Sequence, residues 1–391
     1  MKVTEVTTHI INSTWRNLVF VRVHTDAGII GTGECTPVYG TGAMGTEAAA
    51  REIAAYHLVG RDPLDIEAFY DRAFRESFWG RNPGVLFMGG VSGLEQALWD
   101  IAGKAMDVPV WRLLGGKCRD QLRLYANGWY MEARTEGKLQ AYVDAAKRVV
   151  DDGFTAMKFD PFMGSPTLND AIPPKHIDTF RDGPIVERVA AVREAVGPDV
   201  DIIVEVHGWL DVRTAIRFGQ KFAPYAPMAY EEPIEPTNVD AMKKVSDRVD
   251  IPIASGERIY TRYGFREYIE QQALDIIQPD IGICGGIAEI RKIAAHAETY
   301  HIGFAPHNCN GPVATAATVH ADFATTNFVI QEWFPYELPE HYGLVNHAYE
   351  PTHKDGYLDL PERPGLGVEL TELALANNTY KPLRETPSSS L

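Results

Sequence analysis

Glu205 and His207 stand two residues apart at the end of an otherwise apolar run, Ile202-Ile203-Val204-Glu205-Val206-His207. Two more glutamates follow at an equal interval, Glu231 in Tyr-Glu-Glu-Pro and Glu257 in Ser-Gly-Glu-Arg, since 231 − 205 and 257 − 231 are both 26. Carboxylates in phase at one end of consecutive strands are a donor set for a hard divalent ion, and Mg2+ keeps places in its shell for water or substrate. The competing reading is three acidic loop residues capping the helices that follow. One carboxylate at a strand end is common by chance; three in phase are much rarer, which favours the metal.

Further along, "IIQPDIG" carries Asp280 and "FAPHNCN" carries His307. A lone histidine is more often structural than catalytic. Here the two residues fall at neighbouring run ends, where a carboxylate on one ring nitrogen orients the imidazole and raises its basicity. That is the form of a general-base dyad. The last run closes on Gln331-Glu332, which adds another carboxyl. Lys158 and Asp160 share one face by the two-residue period of a strand, as do Glu205 and His207.

Residues like these need a scaffold that brings distant strand ends together. Short apolar runs recur at 122–126, 156–160, 201–207, 228–233, 251–257, 275–281, 302–307 and 327–332, most of them roughly 25 residues apart, with amphipathic helical stretches between. Eight such units argue for an α/β fold of (β/α)8 type, whose active sites assemble at the C-terminal ends of the strands. Residues 161–184, rich in Pro, Gly and Asp, read as a long loop after the second barrel strand. Residues 1–120 read as a separate α+β region. "KVTEVTTHII" and "NLVFVRVHTDAGIIGTGE" are antiparallel strands with a turn at Asp26-Ala27-Gly28, and Leu94, Leu98 and Ile101 fall at helical spacing.

Composition bounds the function. The chain of 391 residues is too long for one small core, and 45% hydrophobic with 23% charged residues is the balance of a soluble globular protein. No apolar run is long enough to span a membrane, and the N-terminus has no secretory pattern. The cysteines Cys35, Cys118, Cys284 and Cys309 are scattered, which fits a reducing cytoplasm and argues against a disulfide framework. A net charge of −16 argues against nucleic acid as a partner, while leaving room for an anionic small substrate. "GIIGTG" at 28–33 lacks dinucleotide-binding spacing and a strand-to-helix junction, so a Rossmann dehydrogenase is discarded.

At the level of whole motifs the chain resembles the enolase superfamily, mandelate racemase subgroup. The resemblance rests on "ALWDIAGK", "LLGG", "YEEP", "SGER", "DIIQPD", "APH", "IQE" and "DGYLDLPERPGLGVEL", at matching spacings over almost the full chain. It implies a modified (β/α)7β barrel over 121–355 and an α+β capping domain over 1–120, with residues 356–391 packing back on the latter. Within the subgroup it points to acid-sugar dehydratases acting on galactonate-like aldonates, with one Mg2+ per subunit. Carried over residue by residue, Glu205, Glu231 and Glu257 are the metal ligands, His207 the general acid and Asp280–His307 the base dyad. Glu332 lies near the enolate, and if protonated would donate a hydrogen bond to it.

Two positions depart from the family pattern. The first metal ligand is commonly Asp and here is Glu205. The racemases carry Lys-x-Lys on the second strand, whereas this chain has Lys158-Phe159-Asp160. A racemase needs a base on each face of its substrate, so racemisation is disfavoured. Lys158 is expected to contact the substrate carboxylate; Asp160 is open between lining the pocket and binding a substrate hydroxyl. In the capping region, Trp15, Arg16 and Tyr39 are candidate specificity residues, on loops that close over the barrel mouth in this family. The resemblance also implies a homo-oligomer, from dimer to octamer. The alternatives are a sugar-lactone cycloisomerase using the same site and a non-catalytic binding homologue.

Overall fold

The protein is described by a computed structural model covering residues 1–13, 16–36, 42–162, 174–336, 339–376 and 380–381, the side chain of Trp79 excepted. Strands β1 (Val3–Asn12), β2 (Asn17–Thr25) and β3 (Ile30–Cys35) form an antiparallel sheet in that order. Gly28 makes the turn between β2 and β3 with φ of 77°, a conformation that strains any residue with a Cβ. Helices α1 (Ala43–His57), α2 (Ile66–Asp71) and α3 (Val85–Ala105) follow. β3 lies directly against α3, and a Cβ on Gly33 would come within 1.8 Å of the Gly93 carbonyl oxygen. Of the glycines of "GIIGTG", Gly28 therefore serves the turn, and Gly31 and Gly33 serve strand-on-helix packing.

After a short helix α4 (Val110–Leu113) the chain enters the barrel. Its elements are β4 (Gln121–Ala126), α5 (Met131–Glu136), α6 (Leu139–Asp151), β5 (Ala156–Phe159), α7 (Asp182–Val196), β6 (Asp201–Glu205), α8 (Val212–Phe222) and β7 (Ala229–Glu231). They continue with α9 (Val239–Ser246), β8 (Ile253–Ser255), α10 (Thr261–Glu270), β9 (Ile276–Ile277), α11 (Ile287–Glu298), β10 (Gly303–Phe304), α12 (Pro312–Phe323) and β11 (Gln331–Trp333). The strands pair in parallel in the order β10-β9-β8-β7-β6-β5-β4-β11. A bridge between Phe304 and Phe328, with the Phe304 amide donating to Asn327 O at 2.9 Å, joins the two ends. This is the modified TIM-type barrel with a capping domain that the sequence implied.

The helices cover the barrel because their apolar positions recur once per turn. In α8, Thr214, Ala215, Phe218, Gly219 and Phe222 are buried, and the Asp211 carboxylate caps the first turn by accepting from the Thr214 amide at 2.8 Å. Along the barrel axis each strand contributes one side chain to an apolar plug: Tyr125, Ala156, Ile203, Ala229, Ala254, Ile276, Ala305 and Ile330. The bulky and small members interleave, so the interior is filled and not a pore.

The C-terminal segment touches both regions. Tyr357–Asp359 pairs antiparallel with β4, the Leu366 amide donates to Asp100 on α3 at 2.8 Å, and Lys381 exchanges hydrogen bonds with Asn17. Among the described residues no helix is long and apolar enough to cross a membrane.

Candidate active site at the barrel mouth

Two residues beyond each member of the plug, the chain reaches the mouth. The positions reached are Asn127, Lys158, Glu205, Glu231, Gly256, Gln278, His307 and Glu332. The two-residue period of a strand thus turns an apolar layer into a polar one directly above it. Gly256 is the exception that proves the crowding: a Cβ there would lie 2.8 to 2.9 Å from the Gln278 backbone.

Glu205 and Glu231 are register partners on β6 and β7, so their side chains stand side by side. With Glu257, just past β8, each offers an oxygen, and the three oxygens lie within 4.8 Å of one another. Glu205 and Glu231 are almost fully buried. The Lys158 ammonium sits among them, 2.6 Å from Glu231, 2.7 Å from Glu332 and 3.4 Å from Glu205. One cation does not balance this many carboxylates: burial and the neighbouring Glu205 push Glu231 up to about 8 despite Lys158. Among the described residues Glu205 Oε2 is buried and has no hydrogen-bond partner, the Lys158 ammonium standing 3.4 Å away. A crowded, desolvated set of hard oxygen donors with one unsatisfied oxygen fits a divalent ion. Of the residues at the mouth, Glu205, Glu231 and Glu257 are the ones placed to hold it.

Glu332 differs from its neighbours. Burial acts to raise it, yet the Lys158 ammonium, His307 and the Asn308 amide together hold it down at about 2. It accepts from Asn127 Nδ2, the Asn308 amide and Lys158, each at 2.7 Å. The expectation of a protonated, hydrogen-donating Glu332 is therefore corrected: it is an ionised acceptor, because every group aimed at it is a donor. Lys158 likewise has its ammonium turned onto Glu231 and Glu332.

Both mouth histidines pair with aspartates. His307 Nδ1 lies 2.6 Å from Asp280 Oδ2, and Asp280 and His307 are themselves parallel bridge partners. An ionised carboxylate only accepts, so Nδ1 carries the proton and Nε2 is left facing the site, 3.4 Å from Glu257 and 3.9 Å from Glu332. Burial works against protonation of His307, while Glu257, Glu332 and Asp280 raise it; a cation on Glu257 would offset the first of these three and favour the neutral ring, with Nε2 free to accept a proton. His207 Nδ1 lies 2.8 Å from Asp160 Oδ2. Burial again opposes, while Glu205 and Asp160 push His207 up to about 10. A cation on Glu205 would offset the first of those two and leave the second. β6 ends at Glu205, and His207 adopts φ of 54°, so this ring is aimed by a turn and not by strand alternation.

The remaining expected residues divide. Asp160, open in the sequence, is the partner of His207. Arg16 is buried, and its guanidinium donates to the carbonyl oxygens of Cys309 and, at 2.8 Å, Asn310, in the loop after His307. Trp15 and Tyr39 lie outside the described residues, as does 163–173 within the long second loop. Sequence reading passed over Asn127 and Gln278, which hold Glu332 and Glu231 at 2.7 Å each. It also passed over Arg258, which pairs with Glu232, the second glutamate of Tyr-Glu-Glu-Pro, at 2.5 Å. Stepping two residues on from Tyr125 and Ile276 would have found the first two.

Comparison with known proteins agrees with this geometry. Residues 3–115 match the N-terminal domain of the mandelate racemase / muconate lactonizing enzyme family, and residues 141–374 match the enolase C-terminal domain-like family. The chain is 34% identical over 391 residues to the D-galactonate dehydratase of Xanthomonas euvesicatoria pv. vesicatoria, covering 98% of this chain and 95% of that protein. It is 33% identical over 379 residues to the D-galactonate dehydratase of Cronobacter sakazakii, covering 95% and 93%. A solved structure of a member of the enolase superfamily from Salmonella Typhimurium superposes with a TM-score of 0.90 at 37% identity, covering 96% of this chain and 97% of that one.

Proposed function

Because the chain belongs to the mandelate racemase / muconate lactonizing enzyme family, we propose that it is a Mg2+-dependent dehydratase of acid sugars, a hydro-lyase acting on galactonate-like aldonates. The reaction removes the C2 proton and the 3-hydroxyl of a 2,3-dihydroxy acid and leaves a 2-keto-3-deoxy acid. The observation that carries this reading is a pair of carboxylate-bound histidines, His307–Asp280 and His207–Asp160, at the same mouth as the three-glutamate cluster. Elimination needs one group to take a proton and another to give one, and the mouth offers both. The full-length relatives named D-galactonate dehydratase support the substrate class.

Glu205, Glu231 and Glu257 would hold a divalent ion, which when bound would supply positive charge against the negative charge that builds on the substrate carboxylate. His307 Nε2 takes the C2 proton while Asp280 holds Nδ1. His207, kept protonated beside Asp160, gives its Nε2 proton to the departing hydroxyl. The enol then ketonises. Lys158 adds a second positive charge near the carboxylate, and ionised Glu332 fixes the Lys158 ammonium and the Asn308 amide behind it. Lys158 is fixed among carboxylates and Asp160 stands where the racemases carry a second lysine, so the Lys-x-Lys pair of a racemase is not present on this strand.

The test is a screen of aldonic and aldaric acids with Mg2+, reading 2-keto acid as the semicarbazone. Keto-acid formation is expected, and none from any acid sugar sinks the proposal. A lactone product instead would give the cycloisomerase reading. His207→Asn should exchange the C2 proton with deuterated solvent while eliminating little. Loss of both activities together would remove His207 from the acid role.

A further inference from the structure

We propose that Thr36 and Asn310 are positioning residues through which the capping domain holds the Asp280–His307 dyad in its working orientation. The proposal rests on the dyad being the base of the reaction above, and its support is a continuous hydrogen-bond chain between the two domains. A carboxylate bonded to one ring nitrogen can still swing about its own axis, so the angle of the imidazole is set by what holds the rest of the aspartate. Asp280 Oδ1 accepts from the Gly282 amide at 2.7 Å. Asn310 Nδ2 lies 3.1 Å from both Asp280 oxygens and so bridges the carboxylate.

The Asn310 amide works only one way round. Its NH2 end must face Asp280, because the oxygen end would meet an anion. Thr36 Oγ1, 2.7 Å from Asn310 Oδ1, donates to that oxygen and fixes the orientation. Thr36 is the residue next after β3, so the donor comes from the capping sheet. Arg16, the residue just before β2, adds a backbone clamp by donating to the carbonyl oxygens of Cys309 and Asn310. The fit at Thr36 is tight: a Cβ on Gly282 would come within 1.7 Å of Thr36 Oγ1 and 3.1 Å of Asp280 Oδ1. Asp280 and Asn310 are both buried, so solvent does not substitute for a lost partner.

The chain is tested in the full-length, Mg2+-loaded protein with Thr36→Val, Thr36→Ser, Asn310→Leu and Gly282→Ala. Three readouts are taken: kcat and KM on an acid sugar the parent dehydrates, exchange of the C2 proton, and the low-field proton resonance of His307 Nδ1–H. The resonance is assigned by its absence in His307→Asn. Misplacing a reacting group by about 1 Å costs roughly a hundredfold in rate. Asn310→Leu is expected to lose about that much in kcat and Thr36→Val about tenfold, with KM held within about twofold. C2 exchange should fall in step with dehydration, and the resonance should shift or broaden. Thr36→Ser should restore rate and resonance together, whereas Gly282→Ala should resemble Thr36→Val. Folded variants with parental kcat and an unmoved resonance would overturn the proposal, as would a loss confined to KM. Should Asn310→Leu fail to fold, the Thr36 pair decides the question. If the parent dehydrates no acid sugar, the proposed function fails, while the resonance still reports on the relay.

Discussion

At the seam between the capping domain and the barrel, buried carboxylates meet backbone amides; at the mouth, buried carboxylates meet one another. Glu34 on β3 accepts from the amides of Gly311, Val313 and Ala314 at 2.6, 3.2 and 3.0 Å, the N-terminus of α12. Glu95 on α3 does the same for α11, accepting from Ile287 and Ala288 at 2.7 and 2.8 Å. Asp100 takes the amides of Thr32 and Leu366 and the Lys104 ammonium. Each seam acid replaces its lost hydration with donors, and two of them sit at the positive ends of helices that follow the dyad strands. At the mouth, Glu205 takes the Val206 and His207 amides on one oxygen and Glu231 takes Lys158 and Gln278, yet the three glutamates still crowd one another beside the Lys158 ammonium. The difference separates two uses of a buried charge: one closes a structure, and the other leaves a charge deficit for a cation and a substrate to meet.

That contrast predicts that lesions at the two places have opposite signatures. The largest effect is His307→Asn, which should cut dehydration by about 10^3- to 10^4-fold while moving the thermal midpoint very little. A loss of rate accompanied by an equal loss of stability would make the mouth as structural as the seam. Next is Glu34→Ala. It strands three amides in the interior and should cost about 3 kcal/mol of stability, read as a lower urea midpoint with unchanged slope. The KM of the remaining folded enzyme should stay near that of the parent. An unchanged midpoint would show that α12 does not depend on Glu34.

The same contrast explains what could be read from the sequence. Parallel barrel strands are short apolar runs that end at the rim, so strand positions and the acids Glu205, Glu231 and Glu257 were visible together. Asp280 and His307 were legible as neighbours for the same reason. Asn127 and Gln278 were not, because an amide at a run's end has no charge to mark it, and only the two-residue step from the apolar plug identifies it. The Asp160–His207 pair depends on a left-handed turn at His207, which no periodicity announces. Glu34 and Glu95 were silent for another reason. A helix cap is normally sought one to three residues before the helix, whereas Glu34 caps a helix that begins at Pro312.

A third prediction sharpens the mouth side. Divalent metal at a hundred times its dissociation constant should stabilise the parent by about 2.7 kcal/mol, seen as a rise in thermal midpoint on exchanging EDTA for Mg2+. Glu231→Gln should lose that rise. In EDTA it should be no less stable than the parent, since the change removes one of several mutually repelling carboxylates. A Glu231→Gln protein destabilised in EDTA would mean that this acid, like those of the seam, is held by its existing partners.

The smallest expected effect comes from a histidine on the seam side, where the logic of the mouth histidines is reversed. His320 on α12 is fully buried and pairs with no carboxylate among the described residues; its Nδ1 accepts from the Trp111 amide at 3.2 Å and its Nε2 donates to Leu366 O at 3.2 Å. The first bond requires the neutral ring, because a protonated Nδ1 would face an N–H; the second is open to either form. Burial outweighs the bond to Leu366 and holds His320 at about 4, below its ordinary 6.5. With the folded value lowered, the unfolded chain binds the proton first as pH falls. The stability is complete above pH 6.5 and is lost as pH descends toward 4. Between pH 7 and about 5.5 this amounts to about 1 kcal/mol. His320→Gln should start from a lower stability at pH 7 but lose less on acidification, its stability-against-pH slope being shallower by close to one proton. Equal slopes in the two proteins would mean that His320 does not take up its proton on unfolding. The seam would then hold this ring by some balance other than burial of a neutral base.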